Sequence, residues 1–252
     1  MRVAALYRYP VKGLSPEPVE RVSLKAGEYF PGDRLYAIEN GPSGYDPAAP
    51  VHQPKIKFLM LARNARLAAL ATRYNAATST LTIERDGRTL AAAELSTEAG
   101  RAVIARFLEA VCAGEMRGPA RLLSAVNGFR FTDSRSGFVS LINLASVRAI
   151  AHSVGRSLDP LRFRANLYVS GLQPWEEFSF VGKKLRAGSI VLEAVKAIDR
   201  CFAIDVAPGA GTRDMNLLPA MERAFGHHDC GVYARVIAGG DIGLGDELRI
   251  EA

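Results

Sequence analysis

Apolar and polar residues alternate at a period of two through much of the first half of the chain, the spacing of strands with one buried face. Residues 3–9, 19–24 and 34–38 carry the pattern, and residues 56–61, 67–74, 81–84 and 89–93 repeat it. In the third of these strands Arg34, Tyr36 and Ile38 are expected to share one face. Asp86-Gly87, between the last two runs, is a strong hairpin signal. The period changes once. Behind a cap at Ser96 or Thr97, the residues Val103, Ile104, Phe107, Leu108 and Val111 recur at helical spacing up to Gly114. Residues 114–119 read as a linker, which divides the chain into 1–116 and 117–252. One helix among many short strands predicts a barrel-like or sandwich module for the first half, not alternating strand and helix units.

The second half opens with strands at 121–126, 129–131 and 138–142, the last feeding a helix capped near Asn143 with an apolar stripe of Leu144, Val147, Ile150 and Val154. Gly155 stops it. If residues 161–166 are extended, Arg162, Arg164 and Asn166 point one way and Phe163 the other, a row suited to bidentate capture of a phosphate or carboxylate. A strand led by Val191, Leu192 and Val195 runs to Cys201 and opens at Pro208-Gly209-Ala210-Gly211. Asn216 is placed to cap a short helix through Leu217, Leu218, Met221 and Phe225, and 231–237 reads as a strand. Gly-Asp turns at 240–241 and 245–246 then join short closing strands, as in a small barrel. The fold class is mainly β with a few helices (α+β), in two barrel-like modules.

Composition narrows the function. The chain has 252 residues, 48% of them hydrophobic, enough for a substantial core, and no apolar run approaches the roughly 18 residues of a membrane span. Arg8 interrupts the first apolar run too early for a signal-peptide core, so a soluble, cytoplasmic protein with no membrane partner is expected. The formal charge is +6. Its lysines and arginines are spread without a dense basic tract, which favours a basic cleft for a small anion over nucleic acid. Three cysteines, Cys112, Cys201 and Cys230, form no C-x-x-C pair and argue against a disulfide scaffold. Nicotinamide, P-loop, zincin and hydrolase signatures are missing.

Candidate chemistry gathers at a few positions. Cys201 lies beside a flexible turn with Arg200 and Arg213 near in sequence, although Arg200 as a strand neighbour is expected on the opposite face. The turn at Pro10 and Gly13 presents Lys12, whose plain alternative is a solvated lysine. Ser140 precedes a helix, where its hydroxyl and nearby N–H groups can meet an anion. Glu176 and Glu177 diverge as neighbours and read as loop residues near the site. His227, His228 and Cys230 tempt as a metal cluster, but one short segment rarely supplies three tetrahedral ligands.

Taken together, Tyr9-Pro10-Val11-Lys12-Gly13, Arg34 in Gly-Asp-Arg-Leu-Tyr, Arg162-Phe163-Arg164-Ala165-Asn166, Arg200-Cys201 and Cys230-Gly231-Val232-Tyr233 resemble an amino-terminal MOSC β-barrel domain followed by a MOSC domain. The pattern extends over nearly the whole chain. Within that family it is similar to the molybdenum-cofactor proteins related to the mitochondrial amidoxime reducing component and its bacterial counterparts, which reduce N-hydroxylated compounds.

The resemblance implies a molybdenum cofactor (molybdopterin), with Cys201 as the catalytic molybdenum ligand. It also implies that Lys12, Arg34, Ser140, Arg164, Asn166 and Arg200 surround the pterin and its phosphate. A thiolate is a soft ligand for a redox metal, and lysine and arginine suit a phosphate. The resemblance implies a small-molecule substrate and, with no ferredoxin-like cysteine cluster after the last strand, a separate ferredoxin- or flavoprotein-like electron donor. Three segments depart from the family pattern: Gly13-Leu14 after the lysine, His52-Gln53-Pro54, and Ala207-Pro208-Gly209-Ala210-Gly211 after the cysteine. Two other readings remain open, a carrier of persulfide sulfur or of the cofactor, and a cofactor-free module that binds an acidic partner.

Overall fold

The computed structural model describes residues 1–136 and 138–251. In chain order the strands are β1 (Arg2–Arg8), β2 (Glu17–Pro18), β3 (Arg21–Leu24), β4 (Tyr36–Ile38), β5 (Ala71–Asn75), β6 (Thr80–Arg85), β7 (Arg88–Glu94), β8 (Leu122–Ser124), β9 (Phe138–Asn143), β10 (Leu167–Ser170), β11 (Lys184–Ala187), β12 (Ile190–Asp199), β13 (Asp229–Ala238), β14 (Gly240–Gly243) and β15 (Arg249–Ile250). The helices are α1 (Glu98–Val111), α2 (Leu144–Ser153) and α3 (Leu217–Phe225). The protein is mainly β with a few helices, as its pattern predicts.

Eight strands form one curled sheet in the order β15-β11-β12-β13-β9-β10-β1-β2. Only the β9 and β10 pair is parallel. The first strand of the chain therefore lies against β10, with Val3 opposite Val169 and Leu6 opposite Leu167, while β3 pairs with β14. The sheet interior is filled by Val3, Leu6, Val139, Leu141, Leu192, Val232 and their neighbours. A second cluster joins α1 and the β5-β6-β7 meander through Leu81, Ile83, Ile104 and Leu108, and it takes in Val206 from the far end of the chain. A third lies under α2 and α3.

Local chemistry accounts for the element ends. The Thr97 hydroxyl accepts from the Gly100 N–H at 3.0 Å and caps α1, and the Asn143 side chain accepts from the Ala145 N–H to cap α2. Asp86 and Gly87 both have positive φ, the geometry of the tight hairpin that their sequence signals. For α3 the expected cap is replaced. Asn216 makes no side-chain cap bond, and Asp205 accepts from the Leu217 N–H at 2.7 Å instead.

Among the described residues three expected strands, 56–61, 129–131 and 161–166, are absent, and the expected 67–74 is shortened. Residues 55–57 and 65–69 form short 3-10 turns, so the shortened strand is 71–75, and no strand covers 129–131. The third is residues 161–166. Asp159 caps a 3-10 turn over Pro160–Phe163, and Arg164 then adopts a left-handed conformation with φ of 52°. The even-spaced row of Arg162, Arg164 and Asn166 does not form. Arg34 likewise has a φ of 48° and stands outside β4, so it does not share a strand face with Tyr36 and Ile38. Among the described residues no helix is long and apolar enough to cross a membrane.

Candidate functional site: a basic cleft with one accessible thiol

A cavity of about 450 Å³ opens among the turn after β1, the residue 55–62 segment, the residue 132–140 segment, the turn before β10 and the end of β12. Its wall contains Lys12, Arg34, Ser140, Arg164, Asn166, Arg200 and Cys201, so all seven residues singled out in the sequence border one space. Seven cationic side chains line it against three carboxylates. Such a cleft concentrates positive potential and favours an anionic occupant.

Lys12 is held by the turn that ends β1. Its N–H donates to the Tyr36 carbonyl at 2.8 Å, and Gly13 next to it has a φ of 84°, where an added Cβ would stand 3.1 Å from the Leu59 carbonyl oxygen. The side chain is not a solvated turn lysine: Lys12 is 7% exposed. Its ammonium donates to the Phe131 carbonyl at 3.0 Å and to Asp133 Oδ1 at 2.5 Å. Burial pushes the lysine pKa down, and Asp133 offsets this only in part. For Asp133 burial acts upward, yet Lys12, Lys55 and Arg34 outweigh it and bring the carboxyl down to about 2.

Two guanidiniums flank Tyr9. Arg34 stands 4.3 Å and Arg164 4.4 Å from the ring centroid. Arg34 is fully engaged, donating to both oxygens of Asp33 at 2.6 Å and to the Arg164 carbonyl at 3.2 Å. Arg164 differs. Among the described residues its side chain has no hydrogen-bond or ion-pair partner, and burial is the largest influence that lowers its pKa to about 10.

Ser140 and Asn166 are turned toward each other. The Ser140 hydroxyl donates to Asn166 Oδ1 at 2.9 Å and accepts from the Asn166 N–H at 3.0 Å, while Asn166 Nδ2 donates to the Tyr7 carbonyl at 3.2 Å. They clip β9, β10 and β1 together at the cleft wall. Ser140 lies within β9, and the amino end of α2 is capped by Asn143, so the hydroxyl does not stand at a helix terminus.

Arg200 is also structural in its contacts. It donates through Nε and Nη2 to the Cys230 carbonyl and through Nη1 to the Phe163 carbonyl at 2.8 Å. Register irregularities in β12 at Ala194/Lys196 and Ala197/Asp199 break the strict alternation of faces. Residues 196–201 consequently border the cleft in succession, and Arg200 lines the same space as Cys201 instead of the opposite face.

Cys201 itself is extended, between β12 and a 3-10 turn over Phe202–Asp205, and is partly exposed. Lys55 lines the same cleft as Cys201. Burial disfavours that ammonium, but Cys201 and Asp133 outweigh burial and raise its pKa. The loop after Cys201 is tied to the amino-terminal half: Arg213 donates to the Phe202 carbonyl at 3.0 Å and the Ala62 carbonyl at 2.7 Å. Gly211, with a φ of 70°, packs where a Cβ would meet the Ala69 Cβ at 2.9 Å.

Several other candidates are engaged with protein partners. Arg162, only 6% exposed, donates to both oxygens of Asp214 at 2.8 Å and to the Ile204 carbonyl at 3.1 Å, bracing the wall. Glu177 is buried, not a loop residue at the site, and accepts from Asn143 Nδ2 and the Ser146 hydroxyl. His228 pairs with Glu222 at 3.1 Å, and Cys230 is buried with its pKa pushed up to about 12. Lys55, Asp133 and Lys196 also line the cleft, and the sequence did not single them out. Asp133 lies in a Ser-rich run 121 residues from Lys12, and no spacing rule connects them.

A mainly β chain with a basic cleft and one accessible thiol matches two family models. The MOSC N-terminal beta barrel domain covers residues 1–124 and the MOSC domain covers residues 129–249. The chain belongs to the MOSC family, whose domains are associated with the molybdenum cofactor. Curated relatives are similar over a limited stretch: the molybdenum cofactor sulfurases of Caenorhabditis briggsae and Caenorhabditis elegans are each 34% identical over 96 residues. That stretch is 35% of this chain and 13% of each relative. Among solved structures, the YuaD protein from Bacillus subtilis aligns over 98% of this chain and 93% of its own, with a TM-score of 0.45 and 14% identity. YiiM from Geobacillus stearothermophilus aligns over 45% of this chain and 54% of its own, with a TM-score of 0.36 and 20% identity.

Proposed function

We propose that the cleft binds a molybdenum cofactor with Cys201 as the metal ligand, and that the protein is an oxidoreductase acting on N-hydroxylated or related N–O compounds. The observation that carries this reading is the meeting of one partly exposed thiol with a strongly cationic wall that includes a guanidinium unpartnered among the described residues. The residues fit the group. A thiolate is a soft donor for molybdenum, and Lys12 and Arg164 suit the pterin phosphate, with Arg34 held as support behind them. Ser140, Asn166 and Arg200 shape the wall through bonds to protein partners. The cofactor, when bound, supplies the two-electron redox chemistry.

For an N-hydroxylated substrate the balance is two electrons and two protons in, with the N–O bond broken and water released. Lys55 adds positive charge to the wall that also holds Cys201. The electrons come from a separate ferredoxin- or flavoprotein-like donor, and the cytoplasm is the proposed compartment.

A second reading is favoured by the sulfurase relatives: Cys201 as a carrier of persulfide sulfur. The two separate cleanly. Protein purified from a cofactor-making host, supplied with an electron-donor chain and an amidoxime, is expected to form the amidine while Cys201 resists iodoacetamide. A persulfide mass increase on Cys201 after incubation with a sulfur donor, without N–O reduction, would establish the carrier reading instead.

A further inference from the structure

Asp133 lies on the segment 132–136, which carries neither helix nor strand. The segment leaves a fixed point: Phe131 is buried, and its N–H donates to the Arg34 carbonyl at 3.0 Å. From there the Asp133 carboxylate turns back into the cleft and accepts from Lys12 at 2.5 Å. Lys55 and Arg34 act on the same carboxylate. Lys12 touches this acidic group, and Lys55 and Arg34 line the same cavity.

The fold has no other use for that carboxylate. Its side chain is 50% exposed, and among the described residues Lys12 is its sole hydrogen-bond donor. Asp33, another carboxylate in the wall, shows the contrast: it is 4% exposed and accepts from the Tyr9 N–H as well as from Arg34. Asp33 is built into the structure. Asp133 is held at the end of a turn by charge. Among the described residues Lys12 in turn gains its counter-charge from Asp133 alone, because its other bond goes to a carbonyl.

We infer that Asp133 is an internal competitor for the anion seat of the cleft, occupying in the free protein the place at the Lys12 ammonium that a phosphate-type dianion takes on binding. This rests on the proposed reading of the cleft as an anion site and adds the residue that sets its affinity and selectivity. A monoanion replaces one carboxylate by another and gains little. A dianion with three acceptor oxygens gives Lys12 and Arg164 a partner each and displaces Asp133. The seat is open only in the fraction of molecules whose carboxylate has swung away, and apparent affinity falls by that fraction.

The test is calorimetric titration of the full-length protein with inorganic phosphate, comparing the native chain with Asp133→Asn, and with acetate as the monoanion. Asp133→Asn is expected to bind phosphate more tightly, on the order of tenfold, because the competitor is gone. Its melting temperature is expected to fall without phosphate, where Lys12 is left buried and unpaired, and to recover with it. Adding Lys12→Met to Asp133→Asn should abolish the gain. Equal phosphate affinity in the native chain and Asp133→Asn overturns the competitor while leaving the anion cleft standing. Absence of phosphate binding by both overturns the cleft reading and this inference together.

Discussion

Arg34 and Arg164 share the Tyr9 ring at 4.3 Å and 4.4 Å, yet they are not equivalent. Arg34 is locked to Asp33 and to the Arg164 carbonyl, whereas the Arg164 guanidinium is unpartnered among the described residues. A guanidinium with no bonded carboxylate is free to take one from a ligand.

Arg164→Ala is therefore expected to reduce cofactor occupancy without lowering the melting temperature of the cofactor-free protein. A charged hydrogen bond contributes about 1.5–3 kcal/mol, so binding should weaken roughly tenfold or more. Arg34→Ala should lower both, since it strands Asp33. Molybdenum analysis beside thermal melts of the cofactor-free variants checks the contrast, and equal melting losses in the two would remove it.

The three thiols should differ sharply in reactivity. Burial raises the Cys112 pKa to about 11 and that of Cys230 to about 12, so both stay protonated at neutral pH, and both are fully enclosed. Iodoacetamide on the folded, cofactor-free protein should label Cys201 alone, read by peptide mass spectrometry. Cys112→Ser should keep cofactor binding while losing about 1–3 kcal/mol of stability, because a serine hydroxyl has no partner there.

The Lys12 and Asp133 pair gives an acid signature. The Asp133 carboxyl titrates at about 2 in the fold, below its ordinary value of 3.8, because Lys12, Lys55 and Arg34 outweigh the upward effect of burial. A depressed carboxyl pKa stabilises the fold above the unfolded value and loses that contribution as pH falls through the folded one. The stability gap between the native chain and Asp133→Asn should hold constant near neutrality and shrink between 3.8 and about 2. Denaturant midpoints across that range measure it, and a gap that persists at the acid end would show that the carboxylate charge contributes nothing.

Much of the fold was legible because periodicity and caps are local. The hairpin at Asp86-Gly87, the cap at Thr97 and the helix behind Asn143 each depend on residues within a few positions of one another. The alternating pattern puts Arg34 and Arg164 in strands, but left-handed backbone at a non-glycine residue is imposed by tertiary packing, which leaves no mark in such a pattern. The seven expected site residues line one cleft, but their partners could not be read from spacing. Ser140 with Asn166, Arg200 with Cys230 and Lys12 with Asp133 are contacts across 26, 30 and 121 residues. Asp133 and Lys55 were missed for the same reason.

The central claim is that Cys201 and the basic wall hold a molybdenum cofactor, and the most direct measurement is metal and pterin content of protein purified from a host that makes the cofactor. The native chain is predicted to carry about one molybdenum and one pterin per protein, and folded Cys201→Ser to lose the metal or its sulfur-ligand spectrum. A native protein devoid of both, or a Cys201→Ser variant with unchanged molybdenum content and spectrum, would contradict the account.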